Sequence, residues 1–326
     1  MYVVLCEVKG MQALKLNISE TIDEITLKAY SLDKELKVVS EHLTDVYLLS
    51  ELVDRYKVSI VQVVSNFGGT ASTDLKFLET IKNKSSIKEI DIWTDVISFD
   101  SIYDYLNLEV LSVYNSLQAS LLLDISNFSN LITLTLNGNI ATHGLSCSNL
   151  KTLIINNSSS ISFVEKCMAL RNLNIIHSAG IRLKDIASFF PNLKKLVLTQ
   201  INMTTLVGIE GLKKIEELEI NYCNKLQDIS NIKHCKNLQK VYFEGIKKIT
   251  DVTPLVELKH LKDLTFFKCG DIESLSFLNE MPSLENFLFT DTNIVDGDLT
   301  PCLRLKSAWS SFGKRHYNID VRNLPH

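Results

Sequence analysis

The chain has 326 residues, with 34 Lys or Arg against 38 Asp or Glu, for a net charge of −4. That balance argues against a general nucleic-acid binder, which carries a clustered basic surface. Seven cysteines, an odd number without C-x-x-C spacing, point to reduced, buried thiols rather than to disulfides or a metal centre. No run of about 18 apolar residues is present, so no membrane span is expected. The opening MYVVLCEVKGMQ lacks a basic n-region and a long apolar core, and Glu7 and Lys9 interrupt it, so it does not read as a signal peptide. A cytoplasmic protein is expected.

In chain order, MYVVLCEV (1–8) and QALKLNI (12–18) read as strands around Lys9-Gly10, and EITLKAY (24–30) as another. Residues 35–56 mix helix and strand spacing. VSIVQVVS (58–65) is β-branched and reads as a strand. Phe67-Gly68-Gly69-Thr70 reads as a loop, without the lysine of a phosphate loop. DLKFLETIKNK (74–84) reads as a short amphipathic helix with Leu75, Phe77, Leu78 and Ile81 on its apolar side. Residues 1–80 show no clear repeat and are expected to form a cap or degenerate repeats.

A repeat then takes over. Apolar-x-x-apolar-x-apolar rungs start at Ile87, Leu108, Leu131, Leu150, Leu170 and Leu193, at spacings of 21, 23, 19, 20 and 23. They continue from Leu193 to Ile215, Leu238, Leu261 and Leu284, spaced 22, 23, 23 and 23. Within Leu238-x-x-Val241-x-Phe243 the last positions alternate as in a strand, so alternate side chains face opposite sides. One such turn cannot bury its apolar face; stacking turns does so. Further apolar residues follow each strand, as in Ile246, Ile249, Val252 and Leu255, or Leu226, Ile229 and Ile232, and fill the core from the outer wall. Asp251-Val-Thr-Pro254 is expected to start a short turn or one-turn helix there. The last rung, Leu305-x-x-Ala308-x-Ser310, is degenerate, and GKRHYNIDVRNLPH (313–326) is expected to lie over it or fray.

These rungs, with DVTPLVELKHLKDLTF (251–266) and DISNIKHCKNLQKVYF (228–243) as clear examples, resemble the leucine-rich repeat family in its short-repeat, internalin-like form. The resemblance implies an α/β, right-handed solenoid with a parallel concave β-sheet, an irregular or short-helical convex side and terminal caps. Residues 1–80 would be the N-terminal cap or degenerate repeats, 81–310 the repeats, and 311–326 the C-terminal cap. Cys223 and Cys269 fall just after strands, where the family often places a small buried side chain.

Alternation sends the residue between the second and third rung positions, and the one after the strand, to the concave surface. Those positions hold two aromatic groups. Trp93 and Tyr114 stand on neighbouring rungs; Tyr242, Phe267, Leu288 and Trp309 form a second cluster, with Glu219 and Glu244 beside it and Ile176 and Val197 before it. Aromatics gathered on one surface suggest a partner-binding patch; lateral packing between strands is the alternative. No catalytic residues, metal ligands or cofactor are expected, since no G-x-S-x-G, H-E-x-x-H, P-loop or G-x-G-x-x-G motif occurs. His234-Cys235 is read as an outer-wall turn with a buried Cys, and Lys314-Arg315-His316 as a solvated basic tail. The expected function is non-enzymatic binding of another protein on the concave face, by a monomer or weakly self-associating chain, without nucleic acid or membrane. A translocated effector engaging a host protein, and an enzyme with its site in residues 1–80, are the alternatives.

Overall fold

The computed structural model describes residues 72–326 apart from 118, 146–148, 160–162 and 164, and before them 14–17, 26–29, 34–39, 49–51, 53–54 and 57–64. MYVVLCEV and the Phe67–Thr70 loop lie outside the described residues. The chain divides into two compact units, Met1–Ser158 and Ser159–His326.

In the first unit, β1 (Leu14–Asn17), β2 (Thr26–Ala29) and β3 (Lys34–Val39) pair antiparallel in sequence. From β3 onward the pairing is parallel, through β4 (Ile60–Val64), β5 (Glu89–Trp93) and β6 (Val110–Asn115). β7 (Leu121–Asp124) steps out of this ladder; β8 (Thr133–Gly138) continues it, β9 (Ile140–His143) pairs with β7, and β10 (Thr152–Asn156) follows β8. The rungs begin earlier than Ile87. Val58, Val61 and Val63 are fully buried, and the ladder sets Val61 opposite Ile90 and Val63 opposite Ile92. They are a rung of the same form, 29 residues ahead of Ile87.

The helix expected over 74–84 forms as a 3-10 helix, Leu75–Thr80, capped by Asp74, whose side chain accepts from the Lys76 amide at 3.0 Å. Leu75, Leu78, Ile81 and Ile87 keep a spacing in multiples of three, the period of a 3-10 helix rather than an α-helix. All four are buried. This segment is the outer wall of the Ile87 rung. Tyr105 is enclosed behind it and donates its hydroxyl to the Leu78 carbonyl at 2.7 Å.

The second unit holds β11 (Asn172–Ile176), β12 (Lys195–Thr199), β13 (Glu217–Asn221), β14 (Lys240–Glu244), β15 (Asp263–Phe267), β16 (Asn286–Leu288) and β17 (Ser307–Trp309), all parallel. One α-helix, α1 (Leu183–Phe189), lies between β11 and β12. Later walls are 3-10: Ser230–His234, Thr253–Glu257 with its early proline, Ser276–Glu280 and Thr300–Arg304. Their apolar residues again recur every third position. Along Val252, Leu255, Leu258 and Leu261 the last three amides each bond the carbonyl three residues back, at 3.0–3.1 Å, and all four side chains are buried. Every first, second and third rung position from Ile87 to Ser310 is buried.

The rung exit has its own repeat. Gly138, Asn157, His177, Gln200, Tyr222, Gly245, Lys268 and Asp291 all have positive φ. Each lies at or just past the end of a strand, where the chain turns towards the wall. Gly138 has no substitute, because a Cβ there would lie 1.8 Å from the Asn115 carbonyl oxygen. In the second unit the residue after each exit is enclosed: Ser178, Ile201, Cys223, Ile246, Cys269 and Thr292. The Cys269 thiol donates to the Phe243 carbonyl and Thr292 Oγ1 to that of Phe266. The five described cysteines, Cys167, Cys223, Cys235, Cys269 and Cys302, are free and buried, as expected.

At the end of the second unit, the Ala308 amide donates to the Pro325 carbonyl at 2.8 Å, covering part of the exposed edge of β17. Tyr317 packs on Phe289, and its hydroxyl accepts from the Ile294 amide at 3.2 Å. Lys314 bonds Asn293 and His316 bonds the Ile294 carbonyl, so two members of the basic cluster are held against the last rungs.

Candidate functional site

Each five-residue strand of the second unit from β12 to β15 has the second and fourth side chains buried and the first, third and fifth turned to the open side of the sheet. In-register pairing turns this alternation into rows. One row runs Asn174, Val197, Glu219, Tyr242, Thr265, Leu288, Trp309. From Val197 to Trp309 it crosses five strand spacings, about 24 Å. The next runs Ile176, Thr199, Asn221, Glu244, Phe267. Eight of the ten expected partner-binding residues thus share one ladder: Ile176, Val197, Glu219, Tyr242, Glu244, Phe267, Leu288 and Trp309. Thr265 separates Tyr242 from Leu288, and Phe267 belongs to the row of Glu244.

These side chains are half-buried by their neighbours, except Trp309, which is 44% exposed. Trp93, 50% exposed, and Tyr114 lie in the first unit. The adjacency expected of them is not held by the ladder: β5–β6 pairing runs only from Glu89–Val110 to Asp91–Ser112, whereas Trp93 pairs across β4 with Val64. Beyond β5, Asp95 accepts from both the amide and hydroxyl of Ser116 at 2.5 Å, a side-chain clasp in place of the strand ladder.

Charge on the second unit's face is largely paired. Lys195 reaches Glu219 at 2.6 Å and Glu217 at 3.2 Å; the hydrogen bond to Glu219 is the main cause of its raised pKa. Glu244 is held differently. Tyr222 donates its hydroxyl to Glu244 Oε1, and Tyr242 donates to Oε2 at 3.2 Å. Burial and the Glu244 charge push the Tyr242 phenol up to about 12, and the bond to Glu244 raises that of Tyr222. Lys268 sits over the Phe267 ring, 4.7 Å from its centroid. Tyr222 and Lys268 were not expected at this surface. Their signal is the exit period, since both occupy the positive-φ position one residue past the strand.

Two other groups of chemistry-bearing residues among the described residues have structural roles. Cys235 is buried, its thiol donates to the Ile209 carbonyl, and burial pushes its pKa to about 12, so it is no thiolate beside the exposed His234. Asp124, Ser126 and His143 meet on the β7–β9 side. Ser126 Oγ donates to Asp124 Oδ1 at 2.6 Å, and both approach the same His143 nitrogen, Nδ1. A relay needs the acid and the nucleophile on opposite ring nitrogens. Among the described residues, no group of three His, Cys, Asp or Glu is placed to hold a metal ion, and no helix is long and apolar enough to cross a membrane.

Residues 166–291, within the second unit, match the family model described as the leucine-rich-repeat domain of endo-beta-N-acetylglucosaminidase EndoS. This stretch carries leucine-rich repeats, and the chain has the leucine-rich-repeat fold. The match is to that enzyme's repeat domain. Among solved structures, it is similar to a leucine-rich-repeat protein of Leptospira interrogans, at 17% identity and a TM-score of 0.50, over 80% of this chain and 74% of that one. A chain of the Toll–Spatzle complex of Drosophila is similar at 12% identity and a TM-score of 0.57, over 88% of this chain and 48% of that one. An internalin from Listeria monocytogenes shows 15% identity and a TM-score of 0.48, over 77% of this chain and 81% of that one. The family match and the first two structures carry the fold assignment. No curated protein matches the leucine-rich-repeat chain in sequence.

Proposed function

We propose that this chain binds another protein through the open sheet face of its second unit, without catalysing a reaction. The row from Val197 to Trp309 carries the reading: it sets Tyr242, Leu288 and the exposed Trp309 in one ladder, with Phe267 one row away. Such residues serve as interface anchors, each worth about 2 kcal/mol or more when it is a hot spot. A sheet whose strands are already paired loses little ordering entropy on binding. The right-handed winding and concave placement of this face belong to the same proposal. The Toll–Spatzle complex is a case of a structurally similar chain in a protein assembly.

The test is affinity capture with wild type and with Tyr242→Ala/Phe267→Ala/Trp309→Ala. Val207→Ser/Leu303→Ser serves as a wall control, because both side chains are exposed away from the strands. A partner retained by wild type and the wall control but lost from the triple variant is the expected result. Equal retention by all three overturns the face assignment.

A further inference from the structure

Most glutamates along the second unit's strands are paired with lysine: Glu216 with Lys194 at 2.8 Å, Glu217 and Glu219 with Lys195, and Glu285 with Lys306 at 2.9 Å. Glu244 is different. No cation pairs with it among the described residues, and both its oxygens accept from tyrosine hydroxyls instead. The arrangement is built. Gly245 allows Tyr222 to lie close against the backbone, since a Cβ there would come within 2.5 Å of the ring. Tyr222 remains 38% exposed. Asn221, opposite Glu244 in the ladder, has an enclosed Oδ1 that meets no donor.

We propose that Glu244, framed by Tyr222 and Tyr242, is the anchor for an arginine side chain of the protein partner. This rests on the reading of the face as a protein-binding surface and names the chemistry of its occupant. A carboxylate has about four lone-pair positions, so two hydroxyl bonds leave acceptors open. A guanidinium brings five donors and no acceptor, and its flat face stacks on a tyrosine ring. It therefore matches a carboxylate without a cation, held by two tyrosine hydroxyls, more fully than an ammonium does. The hydroxyl bonds hold the carboxylate in place before the cation arrives, which lowers the ordering cost of binding.

The experiment follows the ring resonances of Tyr222 and Tyr242 in the full chain during titration with N-acetyl-arginine amide. N-acetyl-citrulline amide, which keeps the shape and loses the charge, and N-acetyl-lysine amide are the comparators. Saturable shifts with the arginine probe, weaker with lysine and absent with citrulline, are expected. Glu244→Gln should weaken the arginine response by about tenfold or more. No shift, an equal response to citrulline or lysine, or an unchanged response in Glu244→Gln overturns the proposal. Its failure is separable from that of the face reading. A silent probe, with the partner still lost from Phe267→Ala/Trp309→Ala, removes only the arginine anchor. A partner retained by that variant removes the face and the anchor together.

Discussion

The two units are built on the same three-point rung and differ in what lies between rungs. In the second unit the rung starts from Leu193 to Leu284 are 22 or 23 residues apart, and the later walls are 3-10 turns with an apolar residue at every third position. In the first unit the interval from Val58 to Ile87 is 29 residues and that from Leu131 to Leu150 is 19. There the wall uses polar devices: the Tyr105 hydroxyl on Leu78, the Asp95 clasp on Ser116, and Asn115, whose amide donates to the carbonyls of Ala119 and Asn139. The rung itself tolerates this variety because its buried positions lie on the strand, where the ladder fixes them whatever the wall does. In-register rows therefore run through both units, Gln62, Asp91, Ser112, Thr135 and Ile154 forming one in the first, and what differs is the side chains they carry. In the first unit the ladder pairs Trp93 with Val64 and Tyr114 with Asn137 rather than with each other, whereas the second lines up Glu219, Tyr242, Thr265, Leu288 and Trp309.

The comparison can be broken at the rung. Leu264→Ala in the second unit and Leu111→Ala in the first should each cost about 2–5 kcal/mol, because both side chains are buried at the same rung position. Denaturant unfolding measures this. A negligible cost in the first unit would mean that its rungs are not the equal of those in the second. The exit positions sharpen the contrast. Gly138→Ala places a Cβ against the Asn115 carbonyl at positive φ and should cost at least about 1–3 kcal/mol. Gln200 occupies the matching exit in the second unit at φ 55°, where glycine is freer, so Gln200→Gly should gain up to about 1 kcal/mol. A loss of stability in Gln200→Gly would show that the Gln side chain contributes more than its backbone costs.

The smallest effect is a titration. The Tyr242 phenol is pushed up to about 12, by burial first and then by the Glu244 charge. With the folded pKa raised, the neutral phenol favours the folded state fully below the ordinary tyrosine range. That contribution fades as pH rises from about 10 to about 12. Tyrosinate absorbance compared between wild type and Tyr242→Phe should therefore show Tyr242 ionising above the ordinary tyrosine range. Glu244→Gln should bring it down; an unmoved titration would detach the phenol from the carboxylate.

Much of this was legible in the sequence. The rung triples, their period, the buried thiols and the row positions all follow from spacing and residue type. What was not legible has physical causes. The Val58 rung is separated from the next by 29 residues, so it stands outside the period that identifies the others. The segment 74–84 carries helical spacing, but its multiples of three select a 3-10 wall. Rung spacing makes Trp93 and Tyr114 neighbours, but the β5–β6 ladder stops at Asp91–Ser112. Alternation along a strand says nothing about the positive-φ residue beyond its end, which is where Tyr222 stands and where Glu244 gains its second hydroxyl.

The measurement that tests the central claim most directly is the affinity of the captured partner for wild type and for Tyr242→Ala/Phe267→Ala/Trp309→Ala, with circular dichroism establishing that the variant is folded. A folded variant whose affinity falls by at least about 2 kcal/mol, roughly thirtyfold, is the expected result. A folded variant that binds as tightly as wild type would contradict the assignment of this face.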